Sequence, residues 1–353
     1  MPSETEREPV SWRVQRWAAP IALAVLVAAA IAGVGLAVGG EAPGAAGHFQ
    51  YRTPRFLLTA GRQGPWLEVR SMPRTGAREQ VVDSVGPPAS AGAVQEILAG
   101  PDGRFVVAAS RADPCETRLF QFRLTGDGRV TGLAPMRGGT TPALVAGLAM
   151  NRRGDRLAYT TAPCAPDPPD PSQPLAPASP SRAALTVLDT ATGDRRTWSA
   201  AGPSVIGEIV WARDGRTLGY ATGEMRNAAI RNLTVRATDT RAGGSGLREG
   251  RVLFRAPDGQ GTVTSATMGP DGRAGYGVMS RPRATVLFSF TEGEPMRVNR
   301  TIRREPGVLL SFVSSGEPRY ACLNGLDAFG RAVGGTFDTN LSGFGHCDSA
   351  MAY

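Results

Sequence analysis

The chain has 353 residues, of which 45 are glycine and 28 are proline, and its formal net charge is +8. It is long enough for one large domain or two smaller ones, and frequent glycine and proline favour many short strands joined by turns over long helices. All 39 basic residues are arginine. Because they are scattered, with no basic stripe and no interleaved aromatic residues, we interpret them as compositional bias and expect no nucleic-acid partner.

The N-terminal segment predicts a membrane anchor. Residues 17–38 carry no charged side chain and are rich in Ala, Val, Leu and Ile, which is enough for a helix across a hydrocarbon core of about 30 Å. Arg13 and Arg16 precede this run, whereas Glu41 is the one charge that closely follows it. The positive-inside rule therefore places the N-terminus in the cytoplasm and the remainder outside the cell.

A cleaved signal peptide is the alternative interpretation of this run, but its length and the Pro43 that follows the best small-residue site favour an uncleaved signal-anchor. The predicted organisation is a cytoplasmic tail at 1–16, a single transmembrane signal-anchor helix at 17–38, a Gly/Ala/Pro linker at 39–54 and an extracellular domain at 55–353.

A short repeat organises the rest of the chain: a hydrophobic strand, an Asp-Gly turn and a second strand. Glycine supplies the positive φ of a tight hairpin, and Asp before it tolerates the turn geometry. The turn glycines recur at spacings typical of propeller blades, which are about 40–60 residues long. The residues that define these turns are Asp102, Gly103, Gly154, Asp214, Gly215, Asp271 and Gly272.

Each of four clear copies contains the same predicted strands in the same order. The inner strands are Glu96–Leu98, Gly147–Met150, Glu208–Trp211 and Ser265–Met268. The second strands are Phe105–Ser110, Leu157–Thr161, Thr217–Ala221 and Ala274–Val278. The third strands alternate apolar and polar residues and are Leu119–Leu124, Leu185–Leu188, Leu233–Ala237 and Val286–Phe290. A polar outer strand follows each third strand.

These copies resemble the TolB-type, WD-repeat-like β-propeller repeat, most closely at residues 100–107, 213–220 and 188–193. The resemblance covers about residues 55–353 and extends to membrane-anchored propellers of GC-rich Gram-positive bacteria, the actinobacteria. It implies an all-β fold of six blades, with five and seven as the alternatives. The turn at 151–154 departs from the pattern because it lacks the Asp before Gly, and the Trp-Asp dipeptide of true WD repeats is absent.

The two ends of this domain predict how the propeller closes. Phe56–Thr59, Trp66–Ser71 and Glu79–Val82 look like the second, third and fourth strands of a blade, and Ser349–Tyr353 looks like its missing inner strand. Pairing the chain ends in one blade removes free sheet edges. The last blade before the closing strand is predicted to contain Val308–Val313, Arg319–Leu323, Phe329–Val333 and Thr336–Leu341.

The four cysteines predict two disulfides in an extracellular domain. Cys115 and Cys164 both follow the second strand of adjacent blades, so they share a face. Cys322 ends the second strand of the last blade and Cys347 precedes the closing strand, which places these two together on the same face. The alternative, a zinc site, fails because no C-x-x-C pair is present.

Catalytic motifs are scarce. The two histidines, His48 and His346, lie in the linker and in the closing loop. No G-x-S-x-G elbow, phosphate loop or dinucleotide fingerprint occurs, and the inner strands offer mainly Glu96 and Glu208 to the central channel. We therefore expect no enzymatic activity, no metal and no cofactor; the alternative is a propeller hydrolase or lactonase with a site in the channel.

We expect a binding module for a protein, a peptide or an envelope polymer, anchored in the membrane and monomeric. A sensor subunit that works with a cytoplasmic regulator is a further alternative. The linker enters at Phe56 on the face of the Asp-Gly turns, so the opposite face should point away from the membrane. The candidate binding residues on that outward face are Arg111, Asp113, Glu116 and Arg118, beside the Pro-rich 163–182 loop. That loop is either a tolerated insertion or part of the binding surface.

Overall fold

The computed structural model describes residues 55–60, 67–71, 80–165, 182–226, 229–303, 311–314, 320–326, 332–338 and 349–352. The predicted tail, anchor and linker at 1–54 lie outside this part, as does most of the Pro-rich loop. Within these ranges, no helix combines the length and the apolar character needed to cross a membrane.

The described strands form six antiparallel sheets, called sheets I to VI in chain order. Sheet I begins with β1 (Phe56–Ala60), β2 (Leu67–Ser71) and β3 (Gln80–Val85). Sheet II contains β4 (Ala93–Ala99), β5 (Arg104–Arg111), β6 (Glu116–Leu124) and β7 (Val130–Thr141). Sheet III contains β8 (Leu144–Met150), β9 (Arg156–Ala162), β10 (Ala184–Asp189) and β11 (Arg195–Ser199).

The second half of the chain repeats this plan. Sheet IV contains β12 (Val205–Trp211), β13 (Thr217–Arg226), β14 (Ala229–Asp239) and β15 (Arg251–Arg255). Sheet V contains β16 (Thr262–Met268), β17 (Ala274–Arg281), β18 (Ala284–Thr291) and β19 (Arg297–Arg303). The last strands are β20 (Ser311–Ser314), β21 (Tyr320–Leu326) and β22 (Ala332–Asp338) of sheet VI, and then β23 (Ser349–Ala352). Three short 3₁₀ turns lie at Ala89–Ala91, Pro101–Gly103 and Leu247–Glu249.

The C-terminal strand completes the N-terminal sheet, as the sequence predicts. The strand order of sheet I is β23-β1-β2-β3, and β23 pairs antiparallel with β1, Ala352 opposite Phe56 and Ser349 opposite Thr59. Strand β1 therefore lies inside the sheet and has no open edge, which would otherwise be available for pairing with another chain.

Sheet VI differs from the prediction. The sequence predicts separate strands at Phe329–Val333 and Thr336–Leu341, whereas the structure has one strand, β22. This strand pairs with β21 along its whole length, with Asp338 opposite Tyr320 and Ala332 opposite Leu326. The two glycines at 334 and 335 lie between the two predicted strands. They instead continue the strand, which glycine can do at some cost in conformational entropy.

Sheets I to V pack face to face because both faces of their strands are apolar. In β5, Phe105 and Val107 pack in the cluster shared with sheet I, and Val106 and Ala108 pack in the cluster shared with sheet III. Two further buried clusters lie between sheets III and IV and between sheets IV and V. Burial of each large apolar side chain contributes about 1.5–3 kcal/mol, so sheets I to V depend on one another for stability. An all-β chain with five four-stranded antiparallel sheets packed in this way matches the architecture of a β-propeller.

The inner strands β4, β8, β12 and β16 share an irregularity. Each has a shift of pairing register near its beginning, between Val94 and Glu96, Val145 and Gly147, Ile206 and Ile209, and Val263 and Ser265. Such β-bulges bend the strand and increase its twist. Their recurrence shows that the repeat extends to backbone detail beyond the Asp-Gly turns.

Candidate binding face

The second strands β5, β9, β13 and β17 all run in one direction, so the sheets have two distinct rims. We call the rim where these strands begin the turn face, because it carries the Asp-Gly turns. We call the rim where they end the disulfide face. The candidate binding residues from the sequence all belong to the disulfide face, in or beside the turn between β5 and β6.

A disulfide joins Cys115 and Cys164, as predicted, with their Cα atoms 5.8 Å apart. Cys115 lies in the turn between β5 and β6, and Cys164 follows β9. The bond therefore connects loops of sheets II and III, which are neighbours. The predicted bond between Cys322 and Cys347 remains a prediction, because the Cys322 side chain and Cys347 lie outside the described part of the chain.

Three of the four candidate residues form one ionic cluster. Glu116 Oε1 accepts hydrogen bonds from Arg111 Nη2 at 3.1 Å and from Arg118 Nε at 2.7 Å. The pairing of β5 with β6 explains this contact, because it sets Arg111 opposite Glu116. Two guanidinium groups share one carboxylate, so the cluster keeps a positive charge. Asp113 does not join it: its side chain is exposed and makes no ion pair within the described ranges.

A depression of about 350 Å³ lies beside the disulfide. Both cysteines line it, together with Pro142, Thr161 and Arg182. Arg182 and Pro163 are the described ends of the Pro-rich loop, so this loop leaves and re-enters the fold at the rim of the depression. The disulfide, the ionic cluster and both ends of the loop are thus gathered on one face.

On the turn face, the predicted turn residues are engaged in local structure. Asp214 Oδ1 accepts hydrogen bonds from the backbone N–H groups of Arg216 and Thr217 at 2.9 and 2.8 Å, and Asp271 Oδ1 accepts the equivalent pair at 3.0 Å. Gly103, Gly154, Gly215 and Gly272 all have positive φ. Asp102 has a positive φ of 56°, which Asp tolerates better than most residues. These carboxylates hold turns closed.

The turn face also carries contacts that sequence reasoning missed. Arginine side chains of one sheet donate hydrogen bonds to backbone carbonyls of the neighbouring sheet. Arg104 reaches Gly154 O at 3.1 Å, Arg196 reaches Thr240 O at 3.1 Å and Arg251 reaches Gly272 O at 2.9 Å. We call these contacts the arginine links. The signal for them in the sequence is the recurrence of arginine beside the turns, a pattern that compositional bias also explains.

The structure brings no catalytic set together within the described residues. Glu96 and Glu208 lie half-buried in the inner strands β4 and β12, and no group of three or more His, Cys, Asp or Glu side chains is close enough to hold a metal ion in the part of the chain that is described. Both histidines lie outside that part.

Comparison with known proteins gives similarity at the level of the fold. No protein-family model matches the chain, and no curated protein matches it. TolB from Acinetobacter baumannii is 11% identical, with a TM-score of 0.45; the match covers 84% of this chain and 66% of TolB. The Cps50 (Swd1) β-propeller domain of Myceliophteria thermophila is 13% identical, with a TM-score of 0.44 and coverage of 79% and 78%.

The β-propeller domain of the trilobed protease from Pyrococcus furiosus is 10% identical, with a TM-score of 0.41 and coverage of 83% of this chain and 78% of that domain. These values are too low to carry function from one protein to another. The class of the protein, a β-propeller, therefore rests on its own sheets and on their packing.

Proposed function

We propose that this chain is a non-enzymatic binding module, a six-bladed β-propeller that captures a protein, a peptide or an envelope polymer on its disulfide face. The observation that carries the proposal is the Cys115–Cys164 bond, which ties loops of two neighbouring sheets together beside a positively charged cluster. A surface held in place before binding loses less conformational entropy when the partner docks. The proposal takes each of the six described sheets, five with four strands and one with three, as one blade.

The proposed location follows from two sequence features and one structural feature. Residues 17–38 have the length and apolar character of a membrane anchor, with arginines on the cytoplasmic side. Disulfides persist in oxidising compartments outside the cytosol, and the Cys115–Cys164 bond supports such a location for the propeller. We propose a single-pass membrane protein with its N-terminus in the cytoplasm. Protease added to intact cells tests this orientation, because it should digest the propeller domain. A fully protected domain would contradict the proposal.

Capture by the ectodomain tests the binding face. The bait is the ectodomain, residues 48–353. The variant lacks residues 167–178 and carries the substitution Arg118→Gln. Arg111 is left unchanged because its side chain is slightly more buried than that of Arg118. We expect this variant to lose captured material while its thermal stability stays close to that of the wild type. Arg152→Gln/Arg153→Gln is the control, because both arginines are exposed on the turn face. Loss of capture by the control alone would place the site on the turn face.

A further inference from the structure

A second cleft on the disulfide face, between sheets III and IV, has the properties of a ligand site. The segment that joins β11 to β12 forms one wall, and β13, β14 and residues near β15 form the other. Its volume is about 470 Å³, which lies within the usual range for small-molecule sites. The described residues that line it include three arginines, Arg236, Arg248 and Arg255, and one acidic residue, Glu224.

The first arginine of this cleft is held in position. Arg236 Nη1 donates hydrogen bonds to the backbone carbonyls of Arg248 and Gly250 at 2.9 and 2.7 Å. The turn that carries Arg248 is itself anchored, because the buried hydroxyl of Tyr220 donates to the carbonyl of Leu247 at 2.6 Å. Burial raises the pKa of Tyr220 to about 12, so this hydroxyl remains a donor at neutral pH. The guanidinium of Arg236 is thus oriented before any ligand arrives.

The positive charge of the cleft exceeds its negative charge among the described residues. Within the described residues, none of the three arginines forms an ion pair with a carboxylate. Glu224 supplies one negative charge and is engaged in an interaction of its own, and Glu249 accepts a backbone hydrogen bond within its own turn. Burial lowers the pKa of Arg236, and the charges of Arg255 and Arg248 lower it further. The arginines therefore repel one another, and an anion between them would relieve that repulsion.

A buried hydroxyl in the same cleft lacks an acceptor. Ser204 Oγ is enclosed and has no hydrogen-bond partner among the described residues, although it lines the cleft with Thr222 and Asn232. An unpaired buried hydroxyl costs free energy, and a rotation of the Ser204 side chain towards the cleft would let a ligand oxygen accept its hydrogen bond. This second observation, independent of the arginines, indicates a ligand that accepts hydrogen bonds.

We propose that this cleft binds a phosphate group, either as free phosphate or as a phosphate monoester. Three guanidinium groups offer more donors than the two oxygens of a carboxylate can accept, whereas a phosphate monoester has three terminal oxygens. Three arginines and one glutamate leave two positive charges, and a phosphate monoester carries close to two negative charges at neutral pH. The chemistry of the cleft therefore fits a phosphate better than a carboxylate.

This site is separate from the cluster of Arg111, Glu116 and Arg118, which lies within sheet II on strands β5 and β6. The proposal of a phosphate site therefore does not depend on the proposal of a partner-binding face. A propeller that captures no partner could still bind phosphate here, and the two proposals are tested by different variants.

Titration calorimetry on the full-length chain, at constant ionic strength in chloride buffer, tests the proposal. The probes are inorganic phosphate, glycerol 3-phosphate and, as the carboxylate control, succinate. We expect saturable binding of a phosphate compound, with one molecule bound per chain. In Arg248→Gln/Arg255→Gln the affinity should fall about tenfold or more, because the loss of about 1.4 kcal/mol of charged hydrogen bonding lowers an affinity tenfold. Arg152→Gln/Arg153→Gln is the matched control, because it removes the same charge from the turn face.

Thermal melting supplies a second readout that does not depend on the calorimeter. Phosphate should raise the melting temperature of the wild type and of the turn-face control, but not that of Arg248→Gln/Arg255→Gln. Without phosphate, the cleft variant should melt at or above the wild-type temperature, because it has lost repulsion between arginines.

Tighter binding of glycerol 3-phosphate than of phosphate identifies an ester ligand, and equal binding identifies free phosphate. Equal weakening by both variants, equal affinity for succinate, or no saturable binding of either phosphate compound would overturn the proposal.

Discussion

Arg104 in β5 donates a hydrogen bond to the backbone carbonyl of Gly154, 3.1 Å away in the turn of the next sheet. The arginine links repeat this contact between sheets III and IV and between sheets IV and V. Apolar packing between sheets is non-directional, whereas a guanidinium that meets a particular carbonyl fixes how far one sheet can slide against the next. The links therefore add geometric specificity to a fold that hydrophobic burial stabilises.

The first prediction concerns the most extensive of these links. Arg196 donates to the carbonyls of Thr240, Ala242 and Gly244, and its guanidinium stacks on the Trp198 ring at 4.9 Å. Lysine has a single ammonium group in place of the planar guanidinium, so it cannot reach all three carbonyls. Arg196→Lys should therefore lower the free energy of unfolding by about 1 kcal/mol or more. Urea denaturation measures the change.

Arg153→Lys serves as the control, since Arg153 is an exposed arginine of the turn face. It should leave the free energy of unfolding within about 0.5 kcal/mol of the wild-type value, as is usual for surface substitutions. Equal destabilisation by both substitutions would show that the link contributes nothing specific.

The second prediction concerns the described disulfide. Cys115 and Cys164 are 49 residues apart in sequence, and the bond restricts the unfolded chain over that distance. Cys115→Ser/Cys164→Ser should lower the free energy of unfolding by about 2–4 kcal/mol. Chemical denaturation under non-reducing conditions measures the difference, and an unchanged midpoint would contradict the stabilising role.

The third prediction concerns the remaining cysteines. The sequence predicts a bond between Cys322 and Cys347, although β21 continues past Cys322 to Leu326, so that Cys322 lies within the strand and not at its end. Peptide mapping without reductant should recover Cys322 linked to Cys347. A peptide in which Cys115 is joined to Cys347 would contradict both this pairing and the described bond.

The fourth prediction concerns closure. Removing residues 349–353 deletes β23 and leaves the edge of β1 open, so the melting temperature should fall and the protein should self-associate through that edge. Removal of Tyr353 alone, which lies beyond β23, is the control. Scanning calorimetry and light scattering distinguish the two truncations, and identical behaviour would mean that the β1–β23 pairing is dispensable.

The fifth prediction concerns acid stability. The Arg216 side chain donates to Asp239 Oδ2, with its Nε at 2.7 Å, and this hydrogen bond lowers the pKa of Asp239 from 3.8 to about 2. A carboxyl whose pKa is lower in the folded state stabilises the fold above pH 4, and that contribution is lost as the pH falls towards 2. The melting temperature of Asp239→Asn should therefore fall less steeply than that of the wild type between pH 4 and 2. Asp113→Asn should follow the wild-type curve, and a steeper fall for Asp239→Asn would contradict the assignment.

Local signals in the sequence were enough to predict the repeating part of the fold. A turn glycine such as Gly215 and the aspartate before it encode a hairpin by their own backbone preferences, and the absence of an inner strand before Phe56 indicated where the last strand must go. The Cys115–Cys164 pairing followed from the direction of the strands. Each of these inferences needs only the order of elements along the chain.

The contacts that the sequence did not reveal depend on distances between elements far apart in the chain. Nothing adjacent to Arg104 indicates that its guanidinium reaches Gly154, and nothing adjacent to Arg236 indicates that Arg255 shares its cleft. The strand through Gly334 and Gly335 was missed for a different reason. Two consecutive glycines are compatible with a turn and with a strand, and the pairing partner β21 decides between them.

The pairing of Phe56 with Ala352 has a consequence for biosynthesis. Among the described strands, β1, β2 and β3 of sheet I are synthesised before all others, and β23, which completes this sheet, after all others. Domains fold as their residues become available, from the N-terminus onwards, so one edge of β1 has no partner until the other described strands have been synthesised. During that interval the open edge of β1 can pair with another chain, and a product that lacks β23 keeps this edge open.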